Sequence, residues 1–262
     1  MIVLKSQEEI AAVRKSSQIV GQILEDLRQM VEPGVRTADL DSYAEKKARE
    51  MGAVPAFKGY RGYPASLCTS INEEIIHGIP SSRILKEGDI ISLDFGVVCQ
   101  GYYGDAAVTY PVGKVSTEAQ SLIDTAKKAF FKGFEEISEG QRISNISHAI
   151  QSYVESKGFS VIRAFVGHGI GLSLHEEPQV PNFGLPGRGP KMRIGLVLAI
   201  EPMIAVGDWN VEIKEDNWTA VTRDKSLSAH FEHTVALTAE GAEILSLMKK
   251  KSLPQIKESP YA

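Results

Sequence analysis

Four acidic residues and one histidine are the side chains in this sequence best suited to hold metal. They are Asp94 and Asp105 in one hairpin-like stretch, His168 in Gly167-His168-Gly169-Ile170-Gly171, Glu201 before Pro202, and Glu232 between Phe231 and His233. Oxygen-rich ligation with one imidazole fits hard or borderline divalent cations such as Mn²⁺, Fe²⁺, Co²⁺ or Zn²⁺, and four carboxylates carry the charge to balance two of them. Two ions about 3.5–4 Å apart share a water and lower its pKa, so the shared hydroxide becomes a nucleophile. The chemistry expected is hydrolysis, with a peptide bond as the first substrate to consider.

Between Asp89 and Tyr110 the apolar residues occupy alternate positions, leaving Ser92, Asp94 and Gly96 on the other face, and Gly101 and Gly104 mark the turn region. Asp94 and Asp105 stand nearly equidistant from the tip, which predicts direct opposition on one face with Cβ atoms about 4.5–5.5 Å apart. Two carboxylates that close in a half-buried strand would protonate unless a cation sat between them. The glycines around His168 predict a loop that lets backbone approach closely. A phosphate cradle competes for that loop, but the run lacks a nucleotide fingerprint and no Lys-Ser/Thr follows. His230 and His233 imitate an H-x-x-H zinc helix; the residues after them, Thr234 to Thr238, read as strand, where the two histidines would not share a face. His77, in Ile-Ile-His-Gly-Ile-Pro, could orient a substrate or satisfy a turn. His148 sits on the polar side of an amphipathic helix and is expected in solvent.

These residues need elements to position them. From Ser6 the apolar residues Ile10, Val13, Val20, Leu24, Leu27 and Val31 recur at helical spacing, with Ser6 and Glu9 as a capping box and Pro33-Gly34 as the stop. A second helix is predicted from Thr37 towards Gly52. A third starts at Thr117, with Gln120 completing its cap, and runs through Leu122, Ala126, Phe130 and Phe134 to Gly140; Ser144 opens a fourth that ends near Gly158. Gly34, Arg36, Leu40 and Gly52 match Gly140, Arg142, Ile146 and Gly158 at a single offset of 106 positions (140 − 34). The strand from Ile91 to Val97 likewise matches one through Leu198, Ile200 and Pro202, placing Glu201 107 positions after Asp94 (201 − 94). The fold expected is α+β: two related halves of helix, helix and hairpin, about 6–112 and 113–245, face each other across a pseudo-two-fold axis around a curved antiparallel sheet. One catalytic domain spans 1–262, with 246–262 as a C-terminal tail.

The 262 residues are 43% hydrophobic and 24% charged, the make-up of an ordinary globular protein with a sizeable core. A formal net charge of −4 offers no basic footprint for nucleic acid. Cys68 and Cys99 are the only cysteines, too few for a disulfide framework or a thiolate zinc site, and they fit a reducing compartment. No apolar run is long enough for a signal segment or a membrane span. The expectation is a cytoplasmic protein that binds neither nucleic acid nor membrane.

Gly-His-Gly-Ile-Gly, His-Glu-Glu-Pro from His175, Ala-Ile-Glu-Pro-Met and Phe-Glu-His-Thr, together with the Asp94/Asp105 hairpin, resemble the pita-bread metallopeptidases. Within them the match is to the type I methionine aminopeptidases, whose substrate region resembles Gly59-Tyr60-Arg61-Gly62-Tyr63-Pro64 through Ile71-Asn72-Glu73 to His77-Gly78-Ile79-Pro80. The resemblance runs from about Ser6 to Leu245, with no N-terminal domain of the prolidase kind, no zinc-binding extension and no type II insertion. It implies a pita-bread fold and removal of N-terminal methionine ahead of a small second residue by attack of a metal-bridging hydroxide. It implies two divalent ions (Co, Mn, Fe, Zn or Ni), with Asp105 and Glu232 as bridging ligands, Asp94 on one ion, and His168 with Glu201 on the other. It further implies that Glu201 shuttles protons, that His77 and His175 contact the scissile peptide and its oxyanion, and that Tyr60, Tyr63, Cys68 and Trp218 line the methionine pocket. Nascent or newly made polypeptide N-termini, met by a monomer in transient association with the ribosome, are the implied partners. Phe57 and Leu174 depart from the family pattern, where Cys and Phe are common, and bear on fine specificity. Two competitors are an X-Pro peptidase on the same scaffold and a metal-free binding relative; the intact ligand set argues against the second.

Overall fold

The computed structural model describes residues 1–247, so most of the expected tail, from Met248 on, lies outside the described residues. Ser246 is packed rather than trailing: its buried hydroxyl meets His233 Nδ1 at 2.8 Å and accepts from Thr234 N. The chain runs through α1 (Gln7–Met30), α2 (Thr37–Glu50), β1 (Val54–Pro55), β2 (Cys68–Ile71), β3 (Glu74–Ile76) and the long hairpin β4 (Ile90–Cys99) and β5 (Tyr102–Pro111). It continues through α3 (Thr117–Phe134), α4 (Ile143–Ser156), β6 (Ser160–Val161), β7 (Gly167–Gly169), β8 (Glu176–Val180), β9 (Val197–Ile200) and β10 (Met203–Ala205). Last come β11 (Val211–Ile213), β12 (Ala220–Thr222), β13 (Ser228–Thr238) and β14 (Gly241–Ile244).

Among the described residues, eleven strands form one antiparallel sheet whose main path is β1-β4-β5-β13-β9-β7-β8, and β11-β12-β3 form a small second sheet. Helices cover one face of the large sheet. Ile19, Val20, Ile23, Leu24 and Leu27 of α1 and Leu40, Ala44 and Ala48 of α2 pack on Ile91, Leu93, Phe95 and Val97 of β4. In the second half, Leu122, Ala126 and Phe130 of α3 and Ile146, Ile150 and Val154 of α4 pack on Leu198, Ile200, Val235 and Leu237 of β9 and β13. Each helix pair thus closes its own core, and the apolar stripes read from the sequence are the stripes buried.

The repeat is visible in the backbone. α2 and α4 begin and end 106 positions apart (143 − 37, 156 − 50), and each is preceded by an extended arginine, Arg36 or Arg142. Each arginine bridges a later segment, at Ile84 and at Lys191 respectively. Gly52 and Gly158 close the two helices with positive φ, 75° and 81°, which glycine adopts without a Cβ penalty.

Four local expectations are corrected. α3 is capped by Ser116, whose Oγ accepts from Ala119 N, and not by Thr117. α4 starts at Ile143, and Ser144 Oγ accepts instead from Arg188 N. The second half has no compact hairpin, because β10, β11 and β12 lie between β9 and β13. Gly167-His168-Gly169 is a strand: a Cβ on Gly167 would lie 2.5 Å from the Ala199 carbonyl, and one on Gly169 would strike the Glu177 carbonyl. Those two glycines answer the close approach of the neighbouring strands.

Candidate active site

Strand register explains why five distant residues meet. Across β2, β4, β5 and β13, Cys68 pairs with Asp94, Asp94 with Ala107, and Ala107 with Glu232, so the four side chains stand in one row on the face away from the helices. Asp105 lies two residues before Ala107 on the same face, directly opposite Gly96 and not Asp94. Asp94 and Asp105 are therefore diagonal neighbours. The missing Cβ of Gly96 makes room for the Phe57 ring, whose Cε1 such an atom would meet at 2.7 Å. A Cβ on Gly96 would come 3.3 Å from Asp105 Oδ1. His168 pairs with Ala199, which pairs with Thr234, bringing the imidazole to the same face, and Glu201 follows where β9 ends. Asn182, wholly buried, donates from Nδ2 to the Glu201 carbonyl at 3.0 Å and fixes that break. Thr234 Oγ1 ties β13 to β5 by accepting from Asp105 N and donating to Asp105 O. The strand carrying Asp94 is buried on both faces, not half-buried, since the helices cover one side and the site the other.

Ligand atoms of Asp105, His168 and Glu232 lie within 4.8 Å of one another. Asp94 Oδ1, Asp105 Oδ1 and Glu232 Oε1 are buried without a hydrogen-bond partner, and among the described residues no lysine or arginine pairs with the four carboxylates. Such groups are costly unless something positive joins them. Burial, then Asp105, pushes the Asp94 carboxyl well up; burial takes Asp105 to about 7 against the lowering effect of the Ala106 backbone N–H. Burial followed by the neighbouring carboxylates raises Glu201 and Glu232 likewise. His168 Nδ1 stands 2.8 Å from the Gly169 carbonyl, which can only accept, so Nδ1 carries the proton and Nε2 the lone pair. That lone pair faces Glu201 Oε1 at 3.5 Å, and burial holds the imidazole pKa down to about 3. Once Glu201 is ionised, two acceptors face each other across that gap. Divalent cations would give these atoms partners, and Asp105, His168 and Glu232 stand close enough to share one, so the residues present fit a metal centre.

The carboxylates floor a cavity of about 290 Å³, and every other sequence-predicted site residue lines it: Tyr60, Tyr63, Cys68, His77, His175 and Trp218. Phe57 and Leu174 line it too. A tight turn with left-handed Gly59 (φ 84°), Arg61 (φ 50°) and Gly62 (φ 91°) presents Tyr60, whose hydroxyl meets His175 Nδ1 at 2.9 Å. Tyr63 donates to the Gly78 carbonyl at 3.0 Å, with its ring edge-on to Trp218 at 5.2 Å. Trp218 is held by Asp216, which accepts from its backbone N–H. Burial, then Asp94, raises the Cys68 thiol well above its usual range, so it remains a protonated wall residue. His77, left-handed at φ 61°, is pushed down to about 4 by burial and then by His175. The His175 imidazole is lowered by the surrounding walls and by Arg61. His148 is exposed, as expected. Residues 164–166 were missed as the far wall; Phe165 meets the His77 ring edge at 5.7 Å. No periodicity marks that stretch in the sequence.

The family model of metallopeptidase family M24 matches residues 11–239. A methionine aminopeptidase of Clostridium acetobutylicum is 54% identical over 248 residues, 94% of this chain and 99% of that protein. Methionine aminopeptidase 1 of Bacillus subtilis is 49% identical, with 94% and 99% covered. The crystal structure of methionine aminopeptidase from Thermotoga maritima superposes with a TM-score of 0.93 at 46% identity, covering 95% of this chain and all (100%) of that one. Prolidase from Pyrococcus furiosus, at 21% identity and a TM-score of 0.75, shares the fold over 66% of its own length.

Proposed function

This chain belongs to metallopeptidase family M24, and from that premise we propose how it removes the N-terminal methionine of polypeptides whose second residue is small. One observation carries the reading: partnerless buried carboxylates and a neutral imidazole converge on the floor of a cavity walled by Tyr60, Tyr63, Cys68 and Trp218.

Asp105 and Glu232 would be shared between two divalent ions, Asp94 would hold one of them, and His168 with Glu201 would hold the other. The ions are drawn from Co, Mn, Fe, Zn and Ni, which this set of O and N donors accepts alike. When bound, they supply Lewis acidity and lower the pKa of a water so that it attacks at neutral pH. Glu201 takes a proton on its carboxylate and returns it to the departing amide nitrogen. With the Tyr60 hydroxyl donating to Nδ1, His175 keeps Nε2–H to donate to the developing oxyanion. His77 contacts the scissile peptide as a neutral donor. The methionine thioether packs against the aromatic wall and Cys68, where a polarizable sulfur is favoured. His77 and His175 stand beside the second residue and crowd a large side chain. Newly made polypeptides are the substrates, met by a cytoplasmic monomer in transient contact with the ribosome.

Hydrolysis of Met-Ala-Ser against a Gly-Pro dipeptide, with Mn²⁺, Fe²⁺ or Co²⁺ supplied, tests the reading. Release of methionine alone is expected. Preferential cleavage of Gly-Pro would assign the cavity to an X-Pro peptidase.

A further inference from the structure

Residues 170–175 carry His175 in the loop between β7 and β8; its first half is tied to β5, where Tyr103 N donates to Gly171 O at 2.8 Å, and Ile170 and Leu174 pack with Ile10 and Val13 of α1. Tyr60 holds the imidazole from the cleft side, at Nδ1 and by ring stacking at 5.4 Å. The opposite side is held from the start of the chain. Lys5 is buried, its side chain 3% exposed, and its ammonium pairs with the Glu176 carboxylate and donates to Val3 O at 3.0 Å. Glu176 Oε1 accepts in turn from Ser173 N at 3.1 Å, closing the turn around His175. Lys5 N donates to Gly195 O at 2.7 Å, so the ammonium hangs from a fixed backbone. The fit leaves no spare room: a Cβ on Gly171 would stand 2.9 Å from Glu176 Oε1 and would meet the Lys5 chain. Among the described residues, Lys5 is the cation paired with Glu176, and neither residue touches the cavity.

A buried ammonium is a costly way to fasten a surface turn, because the desolvation of such a pair offsets much of its attraction. Its particular effect is orientational. The pair sets the backbone on which His175 sits, and a hydrogen-bond donor to an oxyanion loses most of its value when displaced by about 1 Å, roughly 10²-fold in rate.

We propose that Lys5 and Glu176 are positioning residues that hold His175 in register with the reacting carbonyl, so that the N-terminal segment controls turnover through one imidazole. The proposal rests on the oxyanion role given to His175 above.

The test is a double-mutant cycle on the metal-loaded full chain, with kcat and KM measured on Met-Ala-Ser. Lys5→Met should lower kcat about 10-fold with KM changed less than about twofold and metal content intact. On a His175→Ala background the same change should have no further effect on kcat. Glu176→Gln keeps an acceptor for Ser173 N and should act in the same direction, which keeps the test open if Lys5→Met folds poorly. Arg14→Met, which removes the ion pair from α1 to Glu243, is the control and should leave kcat unaltered. Equal losses from Lys5→Met with and without His175, or a loss matched by Arg14→Met, would reduce the pair to a structural tie and overturn the proposal. Wild-type kcat in His175→Ala itself would instead refute the role of the imidazole.

Discussion

Replacing Asp105 with asparagine should make the metal-free protein more stable while destroying its activity. Oxygens of Asp105 and Glu232 lie within 4.8 Å of each other, where two negative charges repel by about 3–4 kcal/mol at an effective dielectric constant of about 20. Burial raises the Asp105 carboxyl from 3.8 to about 7. Because the folded pKa is the higher one, the neutral acid's contribution is complete below about pH 4 and is lost as pH rises towards 7, at about 1.4 kcal/mol per pH unit. The buried histidines oppose this. His77 is lowered to about 4, and His168, His230 and His233 to about 3, so their contributions are present above about pH 6.5 and fade as pH falls. In the wild type the two trends offset each other between about pH 4 and 6.5, and above that only the carboxylates still titrate. The difference between variant and wild type reads Asp105 together with the upward push it gives Asp94, Glu201 and Glu232. It should widen by about 2–3 kcal/mol in favour of Asp105→Asn between pH 5 and 7, or roughly 5–10 °C in Tm for a chain of this size. Thermal unfolding in EDTA across that range measures it. Saturating Mn²⁺ should reverse the order, since ions that bind only the folded wild type stabilise it by mass action. A difference that stays flat between pH 5 and 7 would show that burial does not hold Asp105 protonated in the metal-free fold, and the case for a metal centre would lose its footing.

Asp105→Ala and Glu232→Ala should each abolish activity and reduce bound metal at both sites; two tightly held ions by elemental analysis in either variant would exclude a bridging role. His175→Ala should lower kcat about 10²–10³-fold with metal content unchanged, because the interaction it loses exists only in the transition state; loss of metal would move the imidazole into the coordination sphere. Met-Ala peptides should be cleaved, and Met-Lys, Leu-Ala and acetyl-Met-Ala peptides should resist, as followed by mass spectrometry; equal release from Met-Ala and Met-Lys would refute the crowding by His77 and His175. Gly104→Ala should destabilise the protein by about 1–3 kcal/mol in chemical denaturation, because the new Cβ would sit 2.7 Å from Ser17 Cα in α1; an unchanged midpoint would mean that the α1–β5 contact yields freely.

The chemistry was legible in the sequence because metal ligation restricts residue types, and because a period of two along β4 places Ser92, Asp94 and Gly96 opposite Leu93 and Phe95 whatever the rest of the chain does. The helical stripes and the 106-residue offset of α2 and α4 were readable for the same reason, since local periodicity carries them. What the sequence left undecided depends on partners far along the chain. Register between β4 and β5 set Asp105 opposite Gly96 and not Asp94, a shift of two residues that keeps the face but turns an opposed pair into a diagonal one. Gly167 and Gly169 read as a loop because their reason, the approach of Ala199 and Glu177, belongs to neighbouring strands. The cap of α3 was misplaced by one residue, since the adjacent hydroxyls of Ser116 and Thr117 compete for the role, whereas α4 has no side-chain cap: Arg142 stands at its N-cap and the Ser144 hydroxyl is turned to Arg188 N. Phe165 and the Lys5–Glu176 pair carry no local signal at all. A wall contact and an ion pair spanning 171 positions exist only once the two halves close on each other, and that closure is decided by packing between distant segments, not by any one of them.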